Sequence, residues 1–176
     1  MIDGNLVKLT SVNKEYIEKY LEWINDTEIQ QFLLIYRPLS REEEEDWYLN
    51  LKNRENHILF SILTIDDNKL IGNCGITINW KDKIGVVGIL IGEKDYHNKG
   101  YGTEAMSLLV EYSFSTLNLH RIELECFEFN HRAIKSYKKV GFIEEGRKRQ
   151  AIFINGKYHD RVIMGLLRKE WKSKLK

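Results

Sequence analysis

Leu6 to Leu9 alternates apolar and polar positions, the period of a short strand, and Thr10 or Ser11 then offers a side-chain oxygen to cap a helix running to about Ile24. Tyr16, Ile17, Tyr20, Leu21 and Ile24 give that helix an apolar stripe. Asn25-Asp26 interrupts it. Glu28 to Tyr36 mixes apolar and polar residues without a clean period and predicts a short helix, ended at Arg37-Pro38 because the residue before proline is pushed out of the helical region. Ser40 followed by Glu43 has capping-box spacing and opens an acidic helix from about Arg41 to Asn53, with Trp47, Leu49 and Leu51 available for packing. Its Glu42 to Asp46 run sits where the helix dipole favours negative charge; a solvated helix start or a site for a cation or polyamine both fit.

Ile58 to Ile65 and Leu70 to Asn79, joined by the turn residues Asp66-Asp67-Asn68, predict two strands, and Gly85 to Ile91 a third, together an antiparallel meander. Thr103 to Leu117 places Met106, Leu109, Val110, Ser113, Phe114 and Leu117 on one helical face, directly after the turn Gly100-Tyr101-Gly102. Arg121 to Phe127 reads as a strand. A further helix follows Asn130, from about Arg132 to Lys139, and stops at Gly141, where a left-handed cap belongs. Phe142 opens the last sheet region, in which Asn155-Gly156 between Ile152-Phe153-Ile154 and Val162-Ile163-Met164 is the strongest hairpin signal of the chain.

Composition narrows this picture only modestly. With 176 residues, 43% hydrophobic and 30% charged, the chain suits one folded domain over residues 1–176 rather than a disordered or disulfide-built one. Lys plus Arg (27) nearly balances Asp plus Glu (26), so no net field draws it to nucleic acid or to an anionic membrane. Cys74 and Cys126 sit in apolar segments and are expected as buried free thiols in a reducing compartment. No basic-then-apolar leader and no membrane-length apolar run occurs, so the cytoplasm is the expected location. The histidines and cysteines show no ligand spacing, so no metal is expected, and Gly-x-Ser-x-Gly is absent. Arg147-Lys148-Arg149 reads as a solvated strand end.

The informative stretch is Ile89-Leu90-Ile91 followed by His97-Asn98-Lys99-Gly100-Tyr101-Gly102-Thr103: a strand, a loop and a helix start. Free N–H groups and the positive end of a helix dipole suit a pyrophosphate, and glycines let its oxygens approach the backbone. Taken alone, Gly-x-Gly is a weak signal and reads more readily as an ordinary turn. No Gly-x-x-x-x-Gly-Lys-Ser/Thr loop is present, and a dinucleotide fingerprint fails because antiparallel strands precede the turn.

His97 to Ala105 resembles the Gln/Arg-x-x-Gly-x-Gly/Ala motif of the GNAT superfamily, departing at its first position, where His97 stands. Asn130-x-x-Ala133-x-x-x-Tyr137-x-x-x-Gly141-Phe142 resembles that superfamily's second signature, in the right order. Leu117-Asn118-Leu119-His120, Gly141-Phe142-x-Glu144-Glu145-Gly146 and Phe153-Ile154-Asn155-Gly156-Lys157-Tyr158 make the chain most similar to the branch of ribosomal-protein N-terminal and spermidine acetyltransferases.

That resemblance implies an α+β fold with a mixed, centrally splayed sheet flanked by helices, and an acetyl-CoA-dependent N-acetyltransferase without a metal. The acceptor it implies is a small-molecule amine or a protein N-terminus, and a homo-oligomer is in keeping with it. It assigns the cofactor to Ile89, Leu90, Ile91, His97, Asn98, Lys99, Gly100, Tyr101, Gly102, Thr103, Asn130, Ala133, Ser136 and Tyr137. Tyr137 is the implied general acid, its alternative a packed aromatic. Glu125 matches a catalytic glutamate of some ribosomal-protein enzymes, with a solvated strand face as its alternative and His97, His120 and Glu93 as rival bases. Glu28 and Tyr36 are the acceptor-side candidates, and a polyamine would want carboxylates such as Glu28 and those of Glu42 to Asp46. An acyl-CoA-binding module without turnover, or transfer to an amino-sugar, would use the same features.

Overall fold

The computed structural model describes residues 1–51 and 53–174. In chain order these form β1 (Ile2–Asp3), β2 (Val7–Ser11), α1 (Ile17–Asn25), α2 (Thr27–Gln30), α3 (Arg41–Leu51), β3 (His57–Thr64), β4 (Leu70–Asn79) and β5 (Ile84–Ile91). There follow α4 (Tyr101–Ser115), β6 (Arg121–Phe127), α5 (His131–Val140), β7 (Ile143–Ile154), β8 (Lys157–Leu167) and α6 (Arg168–Lys174). The strands build one sheet in the order β1-β2-β3-β4-β5-β6-β8-β7.

Every neighbouring pair is antiparallel except β5 and β6, which run parallel and pair only at Ile84–Arg121, Gly85–Ile122 and Val86–Glu123. Beyond those positions the two strands diverge, although β5 continues to Ile91 and β6 to Phe127. Main-chain groups on the facing edges therefore lose their ladder partners midway through the sheet. The crossover between them is α4, which buries Ala105, Met106, Leu109, Val110 and Phe114 against the sheet. At about 1.5–3 kcal/mol for each large apolar side chain, this packing is a main anchor of the split sheet.

Alternation assigns the two faces. Val87, Ile89 and Ile91 belong to the core shared with α4, while Leu90 packs with Tyr20, Trp23 and Ile29 of α1 and α2. The cross-strand partners Leu90–Asn73, Gly88–Gly75 and Val86–Thr77 lie on the α1–α3 face, and Val86–Glu123 extends that face onto β6. The splay thus opens between two separately packed faces.

The meander, α4, β6, α5 and the final hairpin lie where the sequence patterns place them, and both cysteines are buried and free. Two expectations are corrected. The cap belongs to Asn13, whose side chain accepts from the Glu15 N–H at 3.2 Å and opens a short 3-10 turn, Lys14–Tyr16, that leads into α1; Ser11 instead pairs with Phe60 in the sheet. Only Thr27–Gln30 is helical in the segment expected to run from Glu28 to Tyr36: Ile29 alone is buried, too little apolar surface to hold a longer helix. Leu49 is exposed rather than packed.

Candidate active site

Gly100 caps α4 with φ +94°, a backbone region open to glycine, and the Glu104 N–H is the first to find a helical acceptor, the Gly100 carbonyl at 2.9 Å. The amides of Tyr101, Gly102 and Thr103 have no acceptor among the described residues and point from the helix start. Glu104 fixes this turn by accepting from the N–H groups of Asn5, Leu6 and Val7 at 2.9, 2.6 and 2.8 Å. Burial pushes its carboxyl up, but those donors outweigh it and hold it below the usual range. A β-carbon on Gly102 would come within 3.2 Å of the Ile91 side chain, so the helix start lies close against the end of β5.

Thr103 and Ser136 join α4 to α5 through hydroxyls 2.8 Å apart, and Asn130 caps α5 by accepting from the Ala133 N–H at 3.2 Å. Between these helices and the splayed strands lies a cleft of about 1460 Å³. Ile89, Leu90, Ile91, His97, Asn98, Gly100, Gly102, Thr103, Asn130, Ala133, Ser136, Tyr137, Glu125 and Glu28 all line it. The structure does not bring Lys99, Tyr101 or Tyr36 to its wall: Tyr101 stacks edge-on against Tyr96 at 4.9 Å, and Tyr36 is 94% exposed.

Tyr137 is 9% exposed, packs against Phe142 with ring centroids 6.1 Å apart, and has no hydrogen-bond partner for its hydroxyl among the described residues. Burial drives the phenol's pKa well above its ordinary value, so it remains a proton-bearing donor at neutral pH. His97 contacts the Ile91 carbonyl through Nε2 at 2.8 Å. A carbonyl only accepts, so Nε2 carries the proton; burial lowers the ring's pKa, leaving a neutral imidazole with Nδ1 as acceptor.

Glu125 is held by Lys148 and by Arg161 Nη1, the latter at 2.9 Å. Burial raises its pKa, yet these two cations outweigh that and the net direction is downward, which makes it a weak base in this arrangement. Of the rivals, Glu93 is bound by Lys19 at 2.9 Å, Lys69 at 3.0 Å and Trp23 Nε1 at 3.1 Å; burial opposes them, but the carboxyl is drawn to about 2. His120 lies in the turn before β6, its N–H donating to the Lys83 carbonyl at 2.8 Å, and is not among the residues of the cleft wall.

Sequence reasoning missed several residues of the wall. Arg132, Lys135 and Lys139 line it from α5, and their helical spacing, visible in the sequence, was the signal that could have found them. Asn73, Gly88 and Trp47 line it from the α1–α3 face, where only strand register or helix docking reveals them. Glu44 lies within the Glu42 to Asp46 run that the sequence offers as acceptor-side carboxylates, and of that run it alone lines the cleft: it is 6% exposed, and burial pushes its carboxyl up to about 7. Among the described residues no group of His, Cys, Asp and Glu could hold a metal ion, and no helix is long and apolar enough to cross a membrane.

A split sheet with a glycine-capped helix start and a buried phenol at its opening agrees with the acyltransferase fold that the sequence resemblance implies. The profile of the acetyltransferase (GNAT) domain matches residues 7–143, and the chain belongs to that family, whose members are N-acetyltransferases. The spermidine N-acetyltransferase of Vibrio cholerae, solved in complex with CoA and spermine, superposes with a TM-score of 0.89 at 25% identity, over 96% of this chain and 99% of that one. Among sequence relatives, the Vibrio cholerae spermidine N(1)-acetyltransferase is 33% identical over 96 residues, 54% of this chain and 55% of that protein. Bacillus subtilis YjcK is 34% identical over 118 residues, 66% of this chain and 64% of that one. The chain therefore spans between about half and just under two thirds of these two relatives.

Proposed function

We propose that residues 1–176 work as one acetyltransferase domain that moves acetyl from the CoA thioester to a primary amine, of a polyamine or a protein N-terminus, within a ternary complex. The observation that carries this reading is the convergence of the Tyr137 hydroxyl and the unpaired helix-start amides on one cleft at the sheet's splay. When bound, acetyl-CoA supplies a thioester carbonyl for the amine to attack and a thiol as leaving group. The amides of Gly102 and Thr103, beside Lys135 and Lys139, suit a pyrophosphate. Unladdered N–H groups of β5 beyond Val86 suit the thioester oxygen and the charge it gathers. Thr103, Asn130, Ala133 and Ser136 wall the arm's path from α4 and α5.

Tyr137 donates a hydrogen bond from its hydroxyl to the departing sulfur and keeps its proton. A thiol's pKa is about 8.5 and this phenol's is far higher, so its role is a strong hydrogen bond as the C–S bond breaks, and the thiol's proton comes finally from the amine nitrogen. Glu125 serves the acceptor side by exchanging Lys148 for the substrate's ammonium, or stays ion-paired and shapes that wall. The free, buried thiols fit a reducing compartment such as the cytoplasm.

Release of free CoA thiol is to be followed with spermidine, spermine, N-terminal peptides and amino-sugars as acceptors. Turnover of one class, lowered about a hundredfold in Tyr137→Phe with CoA affinity unchanged, is expected from the usual size of acid catalysis. Equal rates in wild type and Tyr137→Phe would remove the acid role. CoA binding without turnover of any amine would leave a binding module.

A further inference from the structure

We propose that Arg161 reads a carbonyl or carboxylate oxygen of the acceptor, which makes that acceptor an α-aminoacyl group rather than a polyamine. This rests on the acetyltransferase reading above and deepens it by naming the acceptor's second functional group and the residue that recognises it. Arg161 stands on β8 opposite Phe127 of β6, and both line the cleft. Its side chain is 22% exposed, and Nη1 donates to Glu125 at 2.9 Å. Its Nε is buried and meets no acceptor among the described residues, and none meets Nη2. Arg168 Nε is orphaned in the same way, but that side chain donates to the Phe114 carbonyl of α4 and is not on the cleft wall.

A buried guanidinium N–H without an acceptor is costly, and folded proteins pair nearly all such groups. Arginine cannot escape by losing its proton, so the missing partner is an atom with a lone pair. A polyamine at neutral pH is a chain of ammonium groups and methylenes: it brings only donors and more positive charge. An α-aminoacyl group brings both kinds of partner, an amine and an oxygen two carbons away. Glu125 and Arg161 stand side by side in the same order. The ammonium takes the place of Lys148 on Glu125, and the oxygen accepts from the Nε and Nη2 edge of Arg161, the fork with which arginine holds carbonyls and carboxylates. The other charges of the wall agree. Of its three glutamates, Glu28 is paired with Lys94 at 2.8 Å and Glu125 with Arg161 and Lys148, which leaves Glu44 alone, too little negative charge for a chain of ammonium groups.

The test compares alanine N-methylamide and L-alanine with 2-aminopentane, which has the amine but no oxygen, and with spermidine. Release of CoA thiol and calorimetric titration, with and without CoA, are followed in wild type, Arg161→Met and Arg161→Lys. Wild type is expected to prefer an oxygen-bearing acceptor; L-alanine alone assigns a free amino acid, and the amide alone a peptide N-terminus. In Arg161→Met, kcat/KM for that acceptor falls at least tenfold, mainly through KM, as expected for a hydrogen bond to a charged group, while 2-aminopentane stays within threefold. Arg161→Lys keeps the charge without the fork and recovers part of the loss. Removing Arg161 also frees Glu125, so the ratio between the two acceptors reports the contact, and CoA affinity within twofold shows that the variants fold. Equal losses on both acceptors, or a wild type that prefers spermidine or 2-aminopentane, overturn the proposal and leave the acetyltransferase reading standing. If no amine is turned over, that reading falls and the titrations decide Arg161: binding of the amide or of L-alanine that is lost in Arg161→Met upholds it, and a wild type that binds neither overturns it.

Discussion

Glu44 makes a quantitative claim about stability. Its carboxyl is pushed from an ordinary 4.5 to about 7 because the folded chain buries it without a partner. Below pH 4.5 both folded and unfolded chains hold the proton and the group is neutral in the balance. Between 4.5 and 7 the unfolded chain ionises first, so the folded state loses stability as pH rises, and above 7 the full penalty applies. At 1.36 kcal/mol per pKa unit the ceiling is about 3 kcal/mol, and water in the cleft lowers it toward about 1.5 kcal/mol. Glu44→Gln removes the charge while keeping shape and polarity. For a chain of this length the gain is roughly 3–10 °C in Tm at pH 8.5, vanishing near pH 4.5. Thermal melts of both proteins across pH 4.5–8.5 measure it. A Tm difference that does not change with pH, or a wild type more stable than Glu44→Gln at pH 8.5, would refute the reasoning.

Two further substitutions test how the site is held. Glu104→Gln weakens the charged acceptor of three amides and should cost about 2 kcal/mol in urea unfolding at pH 7. Because the folded carboxyl lies below its ordinary value, that stability is present above about 4.5 and is lost as pH falls further, so the gap between Glu104→Gln and wild type should narrow as pH drops below 4.5. Gly92→Ala places a β-carbon 2.0 Å from Trp23 Cδ2, so the indole must shift and its bond to Glu93 is disturbed; a loss of about 1–3 kcal/mol is expected, and an unchanged urea midpoint would contradict the packing.

Where backbone chemistry alone decides, the elements were legible. The β3–β5 meander follows from period-2 runs broken by turn residues, and the hairpin from Asn155 and Gly156, which adopt φ of +51° and +78° as a two-residue turn requires. The reciprocal cap of α3 was equally readable, Ser40 Oγ accepting from the Glu43 N–H at 3.2 Å. Tertiary pairing hid the rest. Ser11 looked like a helix cap until β3 claimed it, and Tyr36, an aromatic in an acceptor-side segment, turned to solvent because no element packs over it. The α4–α5 wall of the cleft was legible in part, because helix-start amides and helix spacing build it, although Lys99 and Tyr101 do not reach it. The α1–α3 wall depends on how α3 docks against α1, which no local pattern encodes.

That asymmetry bears on what the acidic run is for. A helix that needed only a solvated start would rotate all its carboxylates outward, and hydrophobic packing would put an apolar residue at the inward position. Here Trp47 and Tyr20 fix the rotation of α3 and carry Glu44 inward with it, against both its own solvation and the stability of the fold. Such a local conflict between sequence and packing is expected where a side chain serves a ligand. The cleft wall where it occurs is the one that Asn73 and Leu90 share, across the splay from Tyr137. The buried carboxylate of Glu44 thus lies on the α1–α3 face and the unpaired helix-start amides on the other, with the sheet's opening between them.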